Sequence, residues 1–235
     1  GLLYGAFTDF LGFKPDNDEW KTMALASFSK NRSPYDKKMN SIYKLTKNGF
    51  ELDLSFFDYY LFDRQPHFYN KKLISLFGKP RGKDQKILSK HHQIAGALQR
   101  AFTNIVFHLL KITKKRGGKS NNVVIAGGAA MNCVFNGLLE SKNIYKNNFV
   151  PPWPDDLGVS IGATYLENHN QGKKSKNDCK VYLGPGYSNA DILSLLKKYN
   201  LTFFKSDNIG KYAAERISKG HLIGWFQDRM EFTHR

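Results

Sequence analysis

The sequence is poor in cysteine and contains no long apolar segment. Its 235 residues include two cysteines, Cys133 and Cys179, which are too few for a disulfide framework or a thiolate metal cluster, so we expect a reducing, cytoplasmic environment. No apolar stretch approaches the roughly 18 to 20 residues of a membrane-spanning helix, and no signal-peptide pattern opens the chain. We therefore expect neither a secreted nor a membrane-embedded protein.

Arginine is also scarce, although the chain is strongly basic. Only 8 of the 36 basic residues are arginine, and the lysines that give a formal net charge of +16 are scattered among asparagines. Arginine is the side chain best suited to paired hydrogen bonds with phosphates and base edges. Lysine-rich runs such as 111–120 and 170–180 are more typical of solvated loops and helix ends. We therefore expect no specific nucleic-acid partner.

The order of predicted elements indicates an α/β protein of one large or two small domains. Apolar residues at helical spacing predict a short helix over 2–13, a second over 19–29 and a long one over 87–114, which a glycine pair ends. Further along the chain, short strands near 148–150 and over 221–226 and helices starting at 158, 189 and 209 are predicted.

The segment VVIAGGAAMNCVFNGLL, residues 123–139, passes from an apolar run through two glycines to a helical pattern. The run 123–126 predicts a strand buried on both faces, and the spacing from Ala129 onward predicts one helix. A glycine turn before a helix start lets a phosphate approach backbone N–H groups. The turn therefore indicates either close packing of helix on sheet or a phosphate site, with the Gly127 and Gly128 amides facing an open cleft.

Five motifs follow one another along the chain in a recognisable order. They are EWKTMALA (19–26), VVIAGGAAMNCVFNG (123–137), PPWPDDLGVSIGA (151–163), YLGPGYS (182–188) and GHLIGWFQDRMEF (220–232). In this order and spacing the chain resembles the ATP-dependent O-carbamoyltransferases of nodulation-factor, cephamycin and tobramycin type. That family is related to the tRNA threonylcarbamoyl-transferase subunit. The resemblance covers nearly the whole chain and favours the phosphate-site interpretation of the glycine turn.

The resemblance implies a fold and a reaction. Residues 1–170 would form the second half of an actin/Hsp70-like (ribonuclease H-like) nucleotide-binding domain, and 171–180 would be a linker. Residues 181–235 would begin the α+β domain that makes carbamoyl-adenylate from carbamoyl phosphate and ATP. The first domain would then transfer the carbamoyl group to a hydroxyl of a small molecule such as a sugar or an antibiotic precursor. A mixed anhydride with AMP has a good leaving group, so this division of the reaction is chemically sensible.

The resemblance also implies the nucleotide contacts. Gly127, Gly128 and Asn132 correspond to residues that touch the nucleotide, Asn132 through its amide. Glu19 and Lys21 occupy the Glu-x-Lys positions of the family near the nucleotide. The other interpretation of that pair is an exposed charged turn.

Asp156 corresponds to the aspartate that binds a divalent metal in the family. Iron or another divalent ion with histidine and carboxylate ligands is the expected cofactor beside ATP. The other interpretation is a helix N-cap, a role that Asp155 could also fill. The family's pair of histidines at i and i+4 is not in this sequence. His91 and His92 cannot supply that spacing, because they are adjacent. We expect both to be solvated residues near a helix start.

Glu231 and Arg235 correspond to carbamoyl-phosphate contacts, but the motif around them departs from the family pattern. The family has GRMEFGPRALG where this sequence has DRMEFTHR. We therefore expect a partial chain that is inactive on its own.

Two other classes of protein remain compatible with these residues. One is a phosphotransferase of the same superfold, which would not need carbamoyl phosphate. The other is a basic, non-catalytic nucleic-acid-binding protein, whose affinity would depend steeply on salt. The acceptor alcohol depends on the shape of its pocket, which the sequence does not specify.

Overall fold

The computed structural model describes residues 1–64, 66–117, 119–173 and 180–232. The chain divides into two units, Gly1–Gly158 and Val159–Arg235. The secondary structure is mixed α/β, as predicted, with helices and two small sheets among the described residues. No described helix combines the length and the apolar character needed to cross a bilayer.

Helices dominate the first unit. Its helices are α1 (Leu2–Phe10), α2 (Glu19–Ala26), α3 (Tyr35–Asn40), α4 (Lys71–Phe77), α5 (Ser89–Arg116), α6 (Cys133–Asn136) and α7 (Leu139–Lys142), and its strands are β1 (Tyr43–Thr46), β2 (Gly49–Leu52), β3 (Asn122–Val124) and β4 (Asn147–Phe149). Short 3-10 helices cover Leu54–Phe56, Tyr59–Arg64 and Gly128–Met131. Helix α8 (Leu157–Asn170) begins at the end of this unit.

The long helix α5 organises the first unit, as its apolar stripe predicted. At 1.5 Å per residue its 28 residues extend about 42 Å. Its N-terminal half packs into the main core together with α1, α2, α3 and α4. The apolar side chains of that half, Ile94, Leu98, Ala101 and Ile105, are all buried. The helix ends at Arg116 and Gly117 is its C-cap, in agreement with the predicted glycine stop, while Gly118 lies outside the described residues.

The C-terminus of α1 is fixed by a buried arginine. Arg81 donates from Nε to the carbonyl of Leu11 at 2.6 Å and from Nη2 to that of Gly12 at 3.1 Å. Gly12 has a φ of +74°, and a Cβ there would lie 2.5 Å from the carbonyl oxygen of Arg81. The guanidinium satisfies carbonyls that the helix leaves unpaired and lies at the negative end of its dipole. This contact holds α1 against the segment that precedes α5.

The prediction that His91 is solvated is wrong. Its side chain is buried, and its Nδ1 accepts a hydrogen bond of 2.9 Å from the N–H of Leu88. The third residue of a helix can reach back to the N-terminal N–H in this way, so a neutral imidazole replaces the usual Glu or Gln. His92 is half-buried beside Phe28, with the ring centroids 5.4 Å apart.

Because His91 must stay neutral, we expect the stability of the first unit to depend on pH. Burial, and then the neighbouring Lys90, Arg81 and His92, lower the pKa of His91 from 6.5 to about 4. Between pH 4 and pH 6.5 the unfolded chain binds more protons than the folded chain. The stabilising contribution of the neutral His91 is therefore complete above about pH 6.5 and is lost as the pH falls towards 4. It amounts to no more than about 3 kcal/mol, because solvent screens part of the interaction.

Urea unfolding at several pH values measures this contribution. His91→Gln keeps an acceptor for the Leu88 N–H and removes the titrating group. The decline in unfolding free energy between pH 6.5 and 4 should therefore be smaller in the variant than in the wild type. Equal declines would contradict the assignment.

Two small sheets complete the first unit. Strands β1 and β2 form an antiparallel hairpin, and β3 pairs in parallel with β4. The prediction that the strand before the glycine turn is buried on both faces is wrong, because Val124 is 68% exposed. A second apolar cluster, centred on Phe107 and Phe135, packs this sheet and helices α6 and α7 against the C-terminal half of α5. This packing fixes the strand that precedes the glycine turn and the helices that follow it.

The second unit contains most of α8, helix α9 (Asn189–Lys198) and helix α10 (Ile209–Ser218), as predicted. Ser188 and Asp191 begin α9 with a reciprocal capping box, in which Ser188 N donates to Asp191 and Asp191 N to Ser188 Oγ. The prediction of a strand at 221–226 is wrong, because this segment forms no ladder with the described residues. The predicted linker 171–180 lies largely outside the described residues, since 174–179 are not described.

Candidate functional site

The glycine turn lies between β3 and α6. Gly127 has a φ of +98°, which glycine adopts easily, and its N–H donates to the carbonyl of Pro154 at 2.5 Å. A 3-10 helix, Gly128–Met131, follows, and then α6 and α7. The single predicted helix is therefore three short ones. Asn132, with φ −69° and ψ 93°, separates the 3-10 helix from α6, because it caps the N-terminus of α6.

The outer side of this turn is open. A Cβ built on Gly127 or on Gly128 would meet no heavy atom within 4 Å. The prediction that both amides face open space is wrong for Gly127, whose N–H is taken by Pro154. The Gly128 N–H has no hydrogen-bond partner among the described residues. The turn thus offers one backbone donor, at the start of a 3-10 helix and with space for an anion.

Asn132 lies on the inner side of the turn and is buried. Its Oδ1 accepts from the N–H of Phe135 at 2.9 Å and from Gln99 Nε2 at 3.0 Å. Its Nδ2 donates to Gln99 Oε1 at 2.9 Å, and the hydroxyl of Tyr4 donates to the same oxygen at 2.9 Å. Burial raises the pKa of Tyr4, which keeps the hydroxyl protonated. The amide of Asn132 is thus directed at α5, away from the open side of the turn.

Glu19 and Lys21 lie on the first turn of α2, where they make local contacts. Glu19 Oε1 accepts from the N–H of Asp16 at 2.7 Å, and Lys21 Nζ pairs with Asp18 at 2.8 Å. The hydrogen bond from Lys21 is the main cause that lowers the pKa of Asp18. The same helix reaches the glycine turn further along, where Cys133 Sγ lies 3.7 Å from Met23 Sδ. The structure therefore brings α2 beside the turn.

Asp155 and Asp156 differ in their surroundings. Asp155 Oδ1 accepts from the N–H of Leu157 at 3.3 Å, so Asp155 supplies the N-terminal cap of α8. Asp156 is exposed and forms no hydrogen bond or ion pair with the described residues. It follows Pro154 by two residues, and the bond from Gly127 to Pro154 therefore brings its backbone to the glycine turn.

A close contact fixes the loop that carries Asp156. A Cβ on Gly158 would lie 2.3 Å from the carbonyl oxygen of Trp153 and 2.8 Å from its Cδ1. Trp153 is itself buried. Only glycine permits this approach of α8 to the preceding loop, which explains the glycine of the motif in physical terms.

The described residues do not by themselves form a metal centre. In the part of the chain that the structure describes, no three His, Cys, Asp or Glu side chains gather in a way that could hold a metal ion. Asp156 supplies one carboxylate, and the buried His91 and half-buried His92 belong to the start of α5. A transition-metal site needs more ligands than these residues bring together.

In the second unit, two of the sequence motifs lie side by side. The carbonyl of Met230 accepts from the N–H of Gly184 at 2.8 Å, and the N–H of Met230 donates to Pro185 at 3.0 Å. A Cβ on Gly184 would lie 2.7 Å from that of Met230, so glycine is needed for this approach. Glu231 lies on this paired segment and is exposed, whereas Arg235, Thr233 and His234 lie outside the described residues.

Two groups that hold the glycine turn were not predicted from the sequence. They are Gln99, which lies behind the turn, and the carbonyl of Pro154, which lies at one end of it; Tyr4 in turn donates to Gln99. Gln99 had a signal, because it is a polar residue that directly follows the apolar and small residues 94–98 of α5. Tyr4 and Pro154 had none, since their contacts join residues far apart in the sequence.

Comparisons with known proteins place these features in a family. Residues 1–165 match the family described as Carbamoyltransferase N-terminus. The whole chain is 30% identical to the nodulation protein NolNO of Sinorhizobium fredii and covers 33% of it. It is 32% identical over 66% of its length to the nodulation protein NolO of Bradyrhizobium diazoefficiens, covering 29% of that protein. An uncharacterized protein of Synechocystis is 32% identical over the whole chain, which covers 39% of it.

The chain thus spans between 29% and 39% of the length of these curated relatives. The match over residues 1–165 includes α2, the glycine turn and the loop that carries Asp156. From this match, the chain belongs to the carbamoyltransferase family.

Proposed function

We propose that the protein transfers a carbamoyl group from carbamoyl phosphate, by way of carbamoyl-adenylate made with ATP, to a hydroxyl of a small molecule such as a sugar or an antibiotic precursor. Membership of the carbamoyltransferase family supports the proposal that the transferred group is a carbamoyl group. Residues 1–170 are proposed to belong to an actin-like nucleotide-binding fold, with 181–235 at the start of the adenylate-forming domain. The proposed compartment is the cytoplasm.

The open glycine turn is the observation that carries the nucleotide part of the proposal. The Gly128 N–H is without a partner among the described residues, and nothing fills the space in front of it. A phosphate oxygen there would accept a charge-assisted hydrogen bond from the backbone. Glu19, Lys21 and Asn132 are proposed to act around the same nucleotide, Asn132 by shaping the turn.

The transfer step has a simple balance of bonds. The acceptor oxygen forms a bond to the carbamoyl carbon, and the bond from that carbon to the AMP phosphate oxygen breaks. AMP leaves with the electron pair, and the hydroxyl proton is released. The contribution of the glycine turn would be to hold the phosphate of the adenylate so that the acceptor meets the carbonyl in a reactive geometry.

Asp156 is proposed as one oxygen ligand of iron or another divalent cation that would polarise the carbamoyl carbonyl. Because one carboxylate holds such an ion poorly, we expect residues 1–235 alone to bind metal weakly and to transfer no carbamoyl group. Glu231 and Arg235 are proposed contacts of carbamoyl phosphate.

Product analysis of the full-length protein tests the proposal. With ATP, carbamoyl phosphate and a panel of sugar and antibiotic-precursor alcohols, we expect the carbamoylated alcohol to form together with AMP, pyrophosphate and inorganic phosphate, and only when carbamoyl phosphate is present. Release of ADP and a phosphorylated acceptor without carbamoyl phosphate would identify a phosphotransferase instead. Salt-sensitive binding of nucleic acid without turnover would identify a basic binding protein.

A further inference from the structure

We propose that Gln99 is a positioning residue for nucleotide binding, which holds the glycine turn in its open shape through a reciprocal amide pair with Asn132. The inference rests on the proposed function, because it assumes that the turn binds the phosphates of an adenine nucleotide. Gln99 itself lies behind the turn on α5.

The hydrogen bonds determine which way each amide faces. The N–H of Phe135 can only donate, so the atom of Asn132 that faces it must be the oxygen. The Nδ2 of Asn132 must then face Gln99 Oε1, and Gln99 Nε2 must face Asn132 Oδ1. Tyr4 donates to Gln99 Oε1, and Thr103 Oγ1 lies 3.4 Å from Nε2. A rotated amide at either position would place two donors against each other.

The amide pair is anchored in a rigid part of the molecule. Gln99 is 6% exposed and Asn132 is 9% exposed, so neither can exchange its partner for bulk water without opening the core. The neighbours of Gln99 on α5, Leu98 and Ala101, are buried in the main core. A buried amide that loses its partner costs free energy, which favours the single arrangement observed.

The turn is held at both of its ends, and the free donor lies between them. At one end Gly127 bonds to Pro154, and at the other Asn132 bonds to Gln99. Asn136 Nδ2 also donates to the carbonyl of Ala130 at 2.7 Å. Removal of Gln99 leaves the side chain of Asn132 with only its bond to the N–H of Phe135, so the direction of the Gly128 N–H is less firmly fixed. Nucleotide affinity should fall although Gln99 does not touch the ligand.

Isothermal titration of ATP into the full-length protein tests this role. For Gln99→Leu, which removes both polar groups, we expect Kd for ATP to rise about tenfold, as for the loss of one well-directed hydrogen bond to a charged group. Tyr4→Phe is the matched control. It removes a buried bond to the same Gln99 oxygen and leaves the amide pair intact, so we expect Kd within about twofold of the wild type.

Thermal unfolding separates positioning from general destabilisation, because both variants should lower Tm. If Tyr4→Phe weakens ATP binding as much as Gln99→Leu, the effect is loss of packing and the positioning role is wrong. If Gln99→Leu does not fold, Gln99→Glu retains the size and one acceptor oxygen but turns a second oxygen towards Asn132 Oδ1, and a rise in Kd is again expected. Wild-type affinity in a folded Gln99 variant overturns the inference and leaves the proposed function standing. A wild type that binds no ATP overturns both.

Discussion

Asp156→Asn in the full-length protein is expected to lower kcat/KM for carbamoyl transfer roughly 100-fold or more while the protein stays folded. The carboxylate is exposed and has no partner among the described residues, so the structure does not need it. Replacement of residues that only surround a metal ligand costs about 10- to 100-fold, and a direct ligand should cost at least the upper end of that range. The test is to measure initial rates at saturating carbamoyl phosphate and ATP while the concentration of the acceptor alcohol is varied, with Tm measured in parallel.

Asp155→Asn is the matched control for this experiment. Asp155 caps α8 through the N–H of Leu157, and asparagine caps a helix about as well as aspartate. We therefore expect Asp155→Asn to keep most of its transfer activity. Full activity in Asp156→Asn, or an equal loss in both variants, would show that Asp156 is not the ligand.

Gly128→Val in the full-length protein is expected to weaken adenine-nucleotide binding tenfold or more with little change in the free energy of unfolding. The new side chain would enter open space, so the apoprotein should accept it. A phosphate that approaches the Gly128 N–H would meet the valine methyl groups instead. The loss of a charge-assisted hydrogen bond, about 1.5–3 kcal/mol, corresponds to a factor of at least ten in Kd.

The choice of position and control makes this experiment specific. Gly127 is unsuitable, since its φ of +98° would strain any other residue. A loss of nucleotide affinity could then not be separated from a loss of folding stability. Lys173→Gln removes a charge from the lysine-rich segment, and we expect only a small, screened effect on Kd. The adjacent Lys174 lies outside the described residues. Equal losses in Gly128→Val and Lys173→Gln would refute a specific role of the turn.

The sequence predicted those elements whose cause is local. Helix α5 was predicted to within a few residues, because its apolar stripe is long and a glycine follows it. The start of α9 at residue 189 was predicted correctly, since the capping box of Ser188 and Asp191 that begins the helix lies within one helical turn. The five motifs likewise sufficed to indicate the carbamoyltransferase family, which the match over residues 1–165 confirms.

Predictions failed where a distant contact decided the outcome. His91 looks solvated in sequence beside another histidine, but packing against the rest of the folded chain leaves it only 3% exposed, and the nearby N–H of Leu88 then becomes its partner. The segment after Gly127 has the spacing of one helix, yet Asn132 interrupts it by capping α6, and its buried amide is paired with Gln99, 33 positions away. In both cases the satisfaction of a buried polar group outweighed the local pattern.

By itself, the sequence determined the family, the α/β class and the long helix, because motif order and apolar periodicity are properties of neighbouring residues. Only the tertiary structure decided which amide of the glycine turn is free and which is bonded to Pro154. It also decided that Asp155 caps α8 while Asp156 has no partner among the described residues. The physical reason is that a backbone N–H or a carboxylate is available to a ligand only if no other part of the folded chain has already bound it.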